Sequence, residues 1–246
     1  MAEMIKKPKA ILFDLDDTIS SFDSVCAPAW EKCCGDFVQK YRTAFDRDEL
    51  LGSIRHTQSW YWADPVRHKK GRENLREARR EVVRFSLETL GIMKEDMAIE
   101  LADHYTQMQD SMLSLLPGSK EALDLLKDMK IRMAVVTNGA SAVQREKLER
   151  FGITEYFEKI IIDAEVGYSK PEKEIFQYAI NQLELEPGDV WMVGDNLVWD
   201  IYGAQQLGIC TVWNDYRKKG LPDNPQATPD ITVNSIYEMA KIIRTI

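Results

Sequence analysis

The run ILFDLDDTIS (residues 11–20) closes an apolar stretch with three carboxylates, Asp14, Asp16 and Asp17, within four positions. Like charges this close raise one another's pKa and favour protonation, so the cluster is costly unless a cation or a reaction offsets it. A divalent metal is the obvious candidate. Polar residues of related chemistry end other apolar runs: Thr137 and Asn138 close AVVTNG, while Asp195 and Asp200 lie in VWMVGDNLVWDI. Lys170, in YSKPEKEIFQYAI, precedes Pro171, which the sequence places as a first helical residue. A lysine there opposes the positive end of the helix dipole, and a bound anion, phosphate above all, would reconcile the two.

Taken together, these residues fit phosphoryl chemistry. A carboxylate can attack a phosphoryl group if a magnesium ion screens the repulsion between two anions and polarises the phosphoryl oxygens. Magnesium takes oxygen ligands in octahedral geometry and keeps some waters, which suits a few aspartates and a substrate phosphate. The chain must bend after Asp14 for Asp16 to reach the leaving oxygen. It can then donate a proton there and later take one from water.

The elements that must position these groups fall into two textures. From residue 116 onward, short apolar strands (RMAVVTN, KIIIDA, DVWMVGD, CTVWN, DITVN) alternate with amphipathic helices, and KAILFD has the same buried look. That alternation predicts an α/β fold, a parallel sheet with helices on both faces, and such sheets bind ligands in the crevice at the carboxyl ends of their strands. Residues 21–115 contain no convincing strand; Leu75, Ala78, Val82 and Phe85 recur at helical spacing, with Gly91 as the stop. The expected organisation is a core of residues 1–20 and 116–246 with an inserted helical domain over 21–115. KKGLPDNPQATPD (218–230) is a loop rich in turn residues.

Composition excludes several classes. With 246 residues and 44% hydrophobic content the chain can bury a sizeable core. A net charge of -8 argues against nucleic-acid or anionic-membrane partners. The four cysteines form no C-x-x-C pair and the three histidines are scattered, so no zinc spacing appears. The first apolar run is too short for a signal peptide or membrane span, and the expected location is the cytoplasm.

The segments DLDDT (14–18), TN (137–138), KP (170–171) and GDNLVWD (194–200) resemble, in order and separation, the four motifs of the haloacid dehalogenase-like hydrolase superfamily. The resemblance implies a Rossmann-like core whose inserted helices form an all-helical cap. It implies Asp14 as nucleophile forming an aspartyl-phosphate and Asp16 as general acid/base. Thr18 would support the loop, Thr137 and Asn138 would hold the phosphoryl, and Lys170 would stabilise it and orient Asp14. Mg²⁺ would be bound by the Asp14 carboxylate, the Asp16 backbone carbonyl and Asp195, with Asp200 helping directly or through water. The cap would close over the site, select the leaving group and exclude water.

Within the superfamily the chain is similar to N-acylneuraminate-9-phosphatase and nucleotide phosphatases. That implies a phosphomonoesterase acting on a small phosphorylated metabolite, a sugar phosphate or nucleoside monophosphate, in a monomer or homodimer. The true dehalogenases lack the second aspartate, because halide leaves without a proton, so Asp16 favours phosphate chemistry. Phosphonatases use a cap lysine for a Schiff base, and nothing marks one here. The alternatives are a phosphomutase, which shares all four motifs, a haloacid dehalogenase and a non-catalytic binding module.

Some residues have plainer explanations. Asp17 is expected to face solvent or hydrogen-bond its loop. The basic residues of RHKKGRENLREARR, interleaved with Glu73, Glu77 and Glu81, fit a solvated helix face. Trp60, Tyr61 and Trp62 fit packing within the helical domain.

Overall fold

The computed structural model describes residues 6–246, the side chain of Glu73 excepted. Six strands, β1 (Ala10–Phe13), β2 (Arg132–Thr137), β3 (Lys159–Ile162), β4 (Val190–Gly194), β5 (Cys210–Asn214) and β6 (Ile231–Val233), form one sheet in the order β3-β2-β1-β4-β5-β6. Every neighbouring pair is parallel. The chain first builds outward from β1 through β2 to β3, then returns to the other side of β1 with β4. The switch point of this α/β fold therefore lies beside the carboxyl end of β1.

Along the chain the described helices are α1 (Asp23–Tyr41), α2 (Arg47–Ala63), α3 (Pro65–Glu73), α4 (Leu75–Thr89), α5 (Glu95–Met112), α6 (Ser119–Asp128), α7 (Ser141–Arg150), α8 (Asp163–Val166), α9 (Lys173–Leu183), α10 (Gly203–Gln205) and α11 (Ile236–Thr245), of which α6 and α11 pack on one face of the sheet and α9 on the other. Alternation along β1 assigns its side chains to two cores. Ile11 and Phe13 pack with Leu123 and Leu126 of α6 and with Ile236, Met239 and Ile243 of α11. Ala10 and Leu12 pack with Ile175, Phe176, Ala179, Ile180 and Leu183 of α9. Burial on both sides explains why β1 and β4 are continuously apolar.

The chain divides into two compact units, one comprising the residues up to Ser21 together with Ser114–Ile246, the other Phe22–Leu113. The second holds α1–α5 around its own core, in which the Trp30 and Tyr105 rings stack with centroids 3.7 Å apart. Asp46 and Glu49 form a capping box at the start of α2, satisfying the amide donors that a helix start leaves open. Gly91, at φ +85°, follows the end of α4 in the left-handed conformation glycine tolerates. Tyr61 is buried and Trp62 packs against the same core, whereas Trp60 is exposed beneath the Arg67 guanidinium, 3.9 Å from the ring centroid. Arg76 and Arg80 share Asp103, and their guanidinium groups hold its carboxyl well below the usual carboxylate range. No described helix is long and apolar enough to cross a membrane.

Leu123 is fully buried in the hydrophobic core under β1. Leu123→Ala is expected to lower unfolding stability by about 2–5 kcal/mol. Denaturant titration measures this, and a loss under about 1 kcal/mol would show that the α6 layer is not packed as described.

Candidate active site

Register brings the polar residues together. Phe13 pairs with Val135 on β2 and with Val193 on β4, so Asp14, Thr137 and Asp195 all lie at carboxyl ends of neighbouring strands. The Asp14 amide continues the ladder by donating to Val193 O at 2.9 Å. Beyond it the chain turns: the Ile19 and Ser20 amides both return to Leu15 O at 3.0 Å, and Asp17 has φ +63°.

Lys170 stands at the centre. Its Nζ donates to Asp14 Oδ1 at 2.6 Å and to Asp200 Oδ1 at 2.7 Å, with all three residues buried. The second Asp200 oxygen accepts from the Asn196 amide at 3.0 Å. The Asn196 side chain caps the π-helical turn Leu197–Tyr202 that carries Asp200. Gly194 is glycine for a steric reason, since a Cβ there would collide with the Asp200 carboxylate.

Lys170 is placed differently from the sequence expectation. Pro171 is not the first helical residue: it follows a cis Lys170–Pro171 peptide, and α9 begins at Lys173 with Glu172 as its cap residue. Residues 169–172 form a tight turn closed by Glu172 N to Ser169 O at 2.7 Å, which displaces the helix start. The anions opposite Lys170 are the Asp14 and Asp200 carboxylates. Asn138 locks the lysine backbone, accepting from Lys170 N at 2.9 Å and donating to Lys170 O at 3.0 Å, so its side-chain amide is engaged at both ends.

Carboxylate oxygens of Asp14, Asp195 and Asp200 lie within 4.8 Å of one another. Burial, reinforced by the neighbouring carboxylates, pushes Asp195 up to about 9. Burial likewise pushes Asp14 up to about 7, with Asp200 and Asp16 adding to it and Lys170 opposing. Burial works against the charge on Lys170, but Asp14 and Asp200 outweigh it and hold the ammonium above its usual value. Both oxygens of Asp200 already have donors, whereas Asp14 Oδ2 and the Asp195 carboxylate have none among the described residues. An all-oxygen donor set in which Asp14 and Asp195 are both held above the usual carboxyl range suits a hard divalent cation such as magnesium.

Two site residues carry no signal in the motifs. Lys147 donates to both oxygens of Asp16, at 2.8 and 2.7 Å. Gln144 Nε2 donates to Thr137 Oγ1 at 2.7 Å, to Asn138 O at 3.0 Å and to Asp16 Oδ2 at 3.1 Å. Gln144, Lys147 and Leu148 form the buried stripe of α7, so two polar residues at apolar positions were the available sign. Thr18 Oγ1 is buried with no hydrogen-bond partner among the described residues, and Thr18 O accepts weakly from Asn214 at 3.4 Å. Asp17 does not face solvent; it is buried, accepting from the Tyr216 hydroxyl at 2.6 Å and pairing with Arg217 at 3.3 Å.

The model of the haloacid dehalogenase-like hydrolases matches residues 8–208. The chain belongs to that family. It is 33% identical over 179 residues to a phosphoserine phosphatase of Thermus thermophilus, covering 72% of this chain and 65% of the relative. It is 35% identical over 119 residues to human N-acylneuraminate-9-phosphatase, 48% of this chain and 47% of the relative. The chain thus spans about two thirds or less of these relatives, and the likeness to N-acylneuraminate-9-phosphatase is found as expected. Among solved structures, a Bacillus subtilis HAD-hydrolase, YfnB, bound to magnesium superposes with a TM-score of 0.73 at 23% identity, over 97% of this chain and 99% of that one. At this identity the likeness shows the fold.

The two raised carboxyls set a pH dependence. A carboxyl whose folded pKa lies above its unfolded value stabilises the fold fully below the unfolded pKa, and that contribution is lost as pH rises through the folded one. In chelator, thermal stability is therefore expected to fall as pH rises above the ordinary carboxyl value of 3.8, the contribution of Asp14 being exhausted by about 7 and that of Asp195 by about 9. Asp195→Asn should flatten the upper part of this decline in melting scans, and an unchanged slope would refute the assignment.

Proposed function

We propose that the chain is a magnesium-dependent phosphomonoesterase that hydrolyses a small phosphorylated metabolite, a sugar phosphate or nucleoside monophosphate, through an aspartyl-phosphate on Asp14. The observation that carries this reading is the buried Asp14–Lys170–Asp200 arrangement at the sheet's switch point, with Asp195 and Asp16 beside Asp14 in the fold and the sequence. Both named relatives are phosphatases of small phosphorylated molecules, which supports the substrate class.

The geometry supports the following residue roles. Asp14 Oδ2 is the free nucleophilic oxygen, because Oδ1 is held by Lys170. Asp14, Asp195 and the Asp16 carbonyl would hold magnesium, which would keep Asp14 charged and screen its approach to the phosphate. Asp200 serves by fixing Lys170, its two oxygens being bonded already. Thr137 offers its hydroxyl to the phosphoryl group, and Asn138 acts by clamping the Lys170 backbone. As the Asp14 oxygen bonds to phosphorus and the ester bond breaks, Asp16 gives its proton to the leaving oxygen. Asp16 then takes a proton from the water that attacks phosphorus and releases Asp14. The helical residues 21–115 serve as the family's cap and select the leaving group, while residues 1–20 and 116–246 carry the chemistry.

The test is phosphate release from sugar, nucleotide and acylneuraminate phosphates, with magnesium and with chelator. Magnesium-dependent release is expected, and Asp14→Asn should lower it by at least about a hundredfold, since loss of a nucleophile removes several kcal/mol of barrier lowering. A loss smaller than about tenfold would sink the nucleophile. Isomerisation of glucose phosphates without net phosphate release would replace hydrolysis by a mutase reaction.

A further inference from the structure

Asp16 is the acid and base of the proposed reaction, yet its carboxylate is held by a residue that none of the four motifs contains. Lys147 reaches it from α7, and the two side chains are 6% and 23% exposed respectively. A buried ion pair is weak evidence for stability, because desolvating both charges offsets most of their attraction. Its effect on geometry is larger. With a cation on both oxygens, at 2.8 and 2.7 Å, the carboxylate is confined to one orientation.

Gln144, one helical turn earlier on the same face of α7, joins this pair to the phosphate side of the site. Its Nε2 faces three acceptors, Thr137 Oγ1, Asn138 O and Asp16 Oδ2. The opposite amide orientation would turn Oε1 toward a carbonyl and a carboxylate, with only the Thr137 hydroxyl able to donate, so the assignment is settled by the surroundings. Asp16 is thereby tied to the segment that carries Thr137. The proton-transfer group and the hydroxyl offered to the phosphoryl group are placed by one helix.

We propose that Lys147, assisted by Gln144, is a positioning residue that places the Asp16 carboxylate for proton transfer; this rests on the role given to Asp16 above. Lys147 exchanges no proton in the cycle. The proton passes from Asp16 to the leaving oxygen as the ester bond breaks, and a proton from the attacking water returns to Asp16. Between these events Asp16 is a carboxylate, and Lys147 is its counter-ion. Displacement of a catalytic group by about 1 Å costs on the order of a hundredfold in rate, so loss of Lys147 should be felt only where proton transfer to the leaving group limits the reaction.

Leaving-group dependence tests this. The quantity kcat/KM reports steps up to the first irreversible one, here ester cleavage. Dinitrophenyl phosphate leaves without needing a proton, whereas glycerol phosphate does need one. Lys147→Met is expected to lower kcat/KM on glycerol phosphate by about 10- to 100-fold and on dinitrophenyl phosphate by less than about threefold, with the magnesium-induced rise in melting temperature retained. Lys147→Arg should recover part of the loss. Equal losses on both substrates, or no loss on either, overturn the proposal. Asp16→Asn runs beside it: if that variant shows the leaving-group selectivity and Lys147→Met does not, the role of Asp16 stands and the positioning role falls. If Asp16→Asn shows none, the underlying reading falls and takes this one with it. Should Lys147→Met not fold, Gln144→Met takes its place in the same comparison: a loss confined to glycerol phosphate supports the positioning role, and equal losses or none overturn it.

Discussion

A buried ammonium between two carboxylates organises this molecule. Lys170 lies 2.6 Å from Asp14 and 2.7 Å from Asp200, and burial alone would work against the charge on each of the three. The lysine is kept charged by its two partners, and removing any one would leave an uncompensated charge in the interior. The surrounding structure is arranged to hold this triad. Asn138 fixes the lysine backbone, Asn196 fixes the turn that carries Asp200, and Gly194 leaves the space the Asp200 carboxylate fills.

One cation is insufficient for the carboxylates gathered there. Asp195 has no donor among the described residues and stands far above its usual carboxyl range. The same surplus negative charge that raises Asp14 and Asp195 suits the site to a divalent cation. In the proposed reaction cation binding also keeps Asp14 charged, the form in which it can attack phosphorus. Asp16, the acid and base of the proposed reaction, has a counter-ion of its own in Lys147, 2.7 Å away.

The sheet supplies the precision. Parallel pairing puts every carboxyl end on one edge, and the order β3-β2-β1-β4-β5-β6 places β1, with its nucleophile candidate, between the strands that end in Thr137 and Gly194. Strands buried on both faces cannot slip by one residue without exposing Ile11 and Phe13 to the wrong layer. The packing of α6, α9 and α11 therefore sets the register on which the site depends.

The six strands, the helical stretch after β1 and the residues Asp14, Asp16, Thr137, Asn138, Lys170, Asp195 and Asp200 were legible in the sequence. Each is a local signal: an apolar run buried on both faces is continuous, and its end is marked by a polar residue. Three features were not legible. Pro171 precedes rather than starts α9, because the turn at Ser169–Glu172 delays the helix; Asp17 is buried because Tyr216 and Arg217, some 200 residues away in the chain, return to it. The pairing of Lys147 and Gln144 with Asp16 joins residues whose types carry no motif. The sequence by itself determined the motif residues that end the strands and the polar turns, since their types and spacing are written along the chain. Only the tertiary structure decided which carboxylate faces which cation, because that depends on distances of a few ångströms between segments that are remote in sequence.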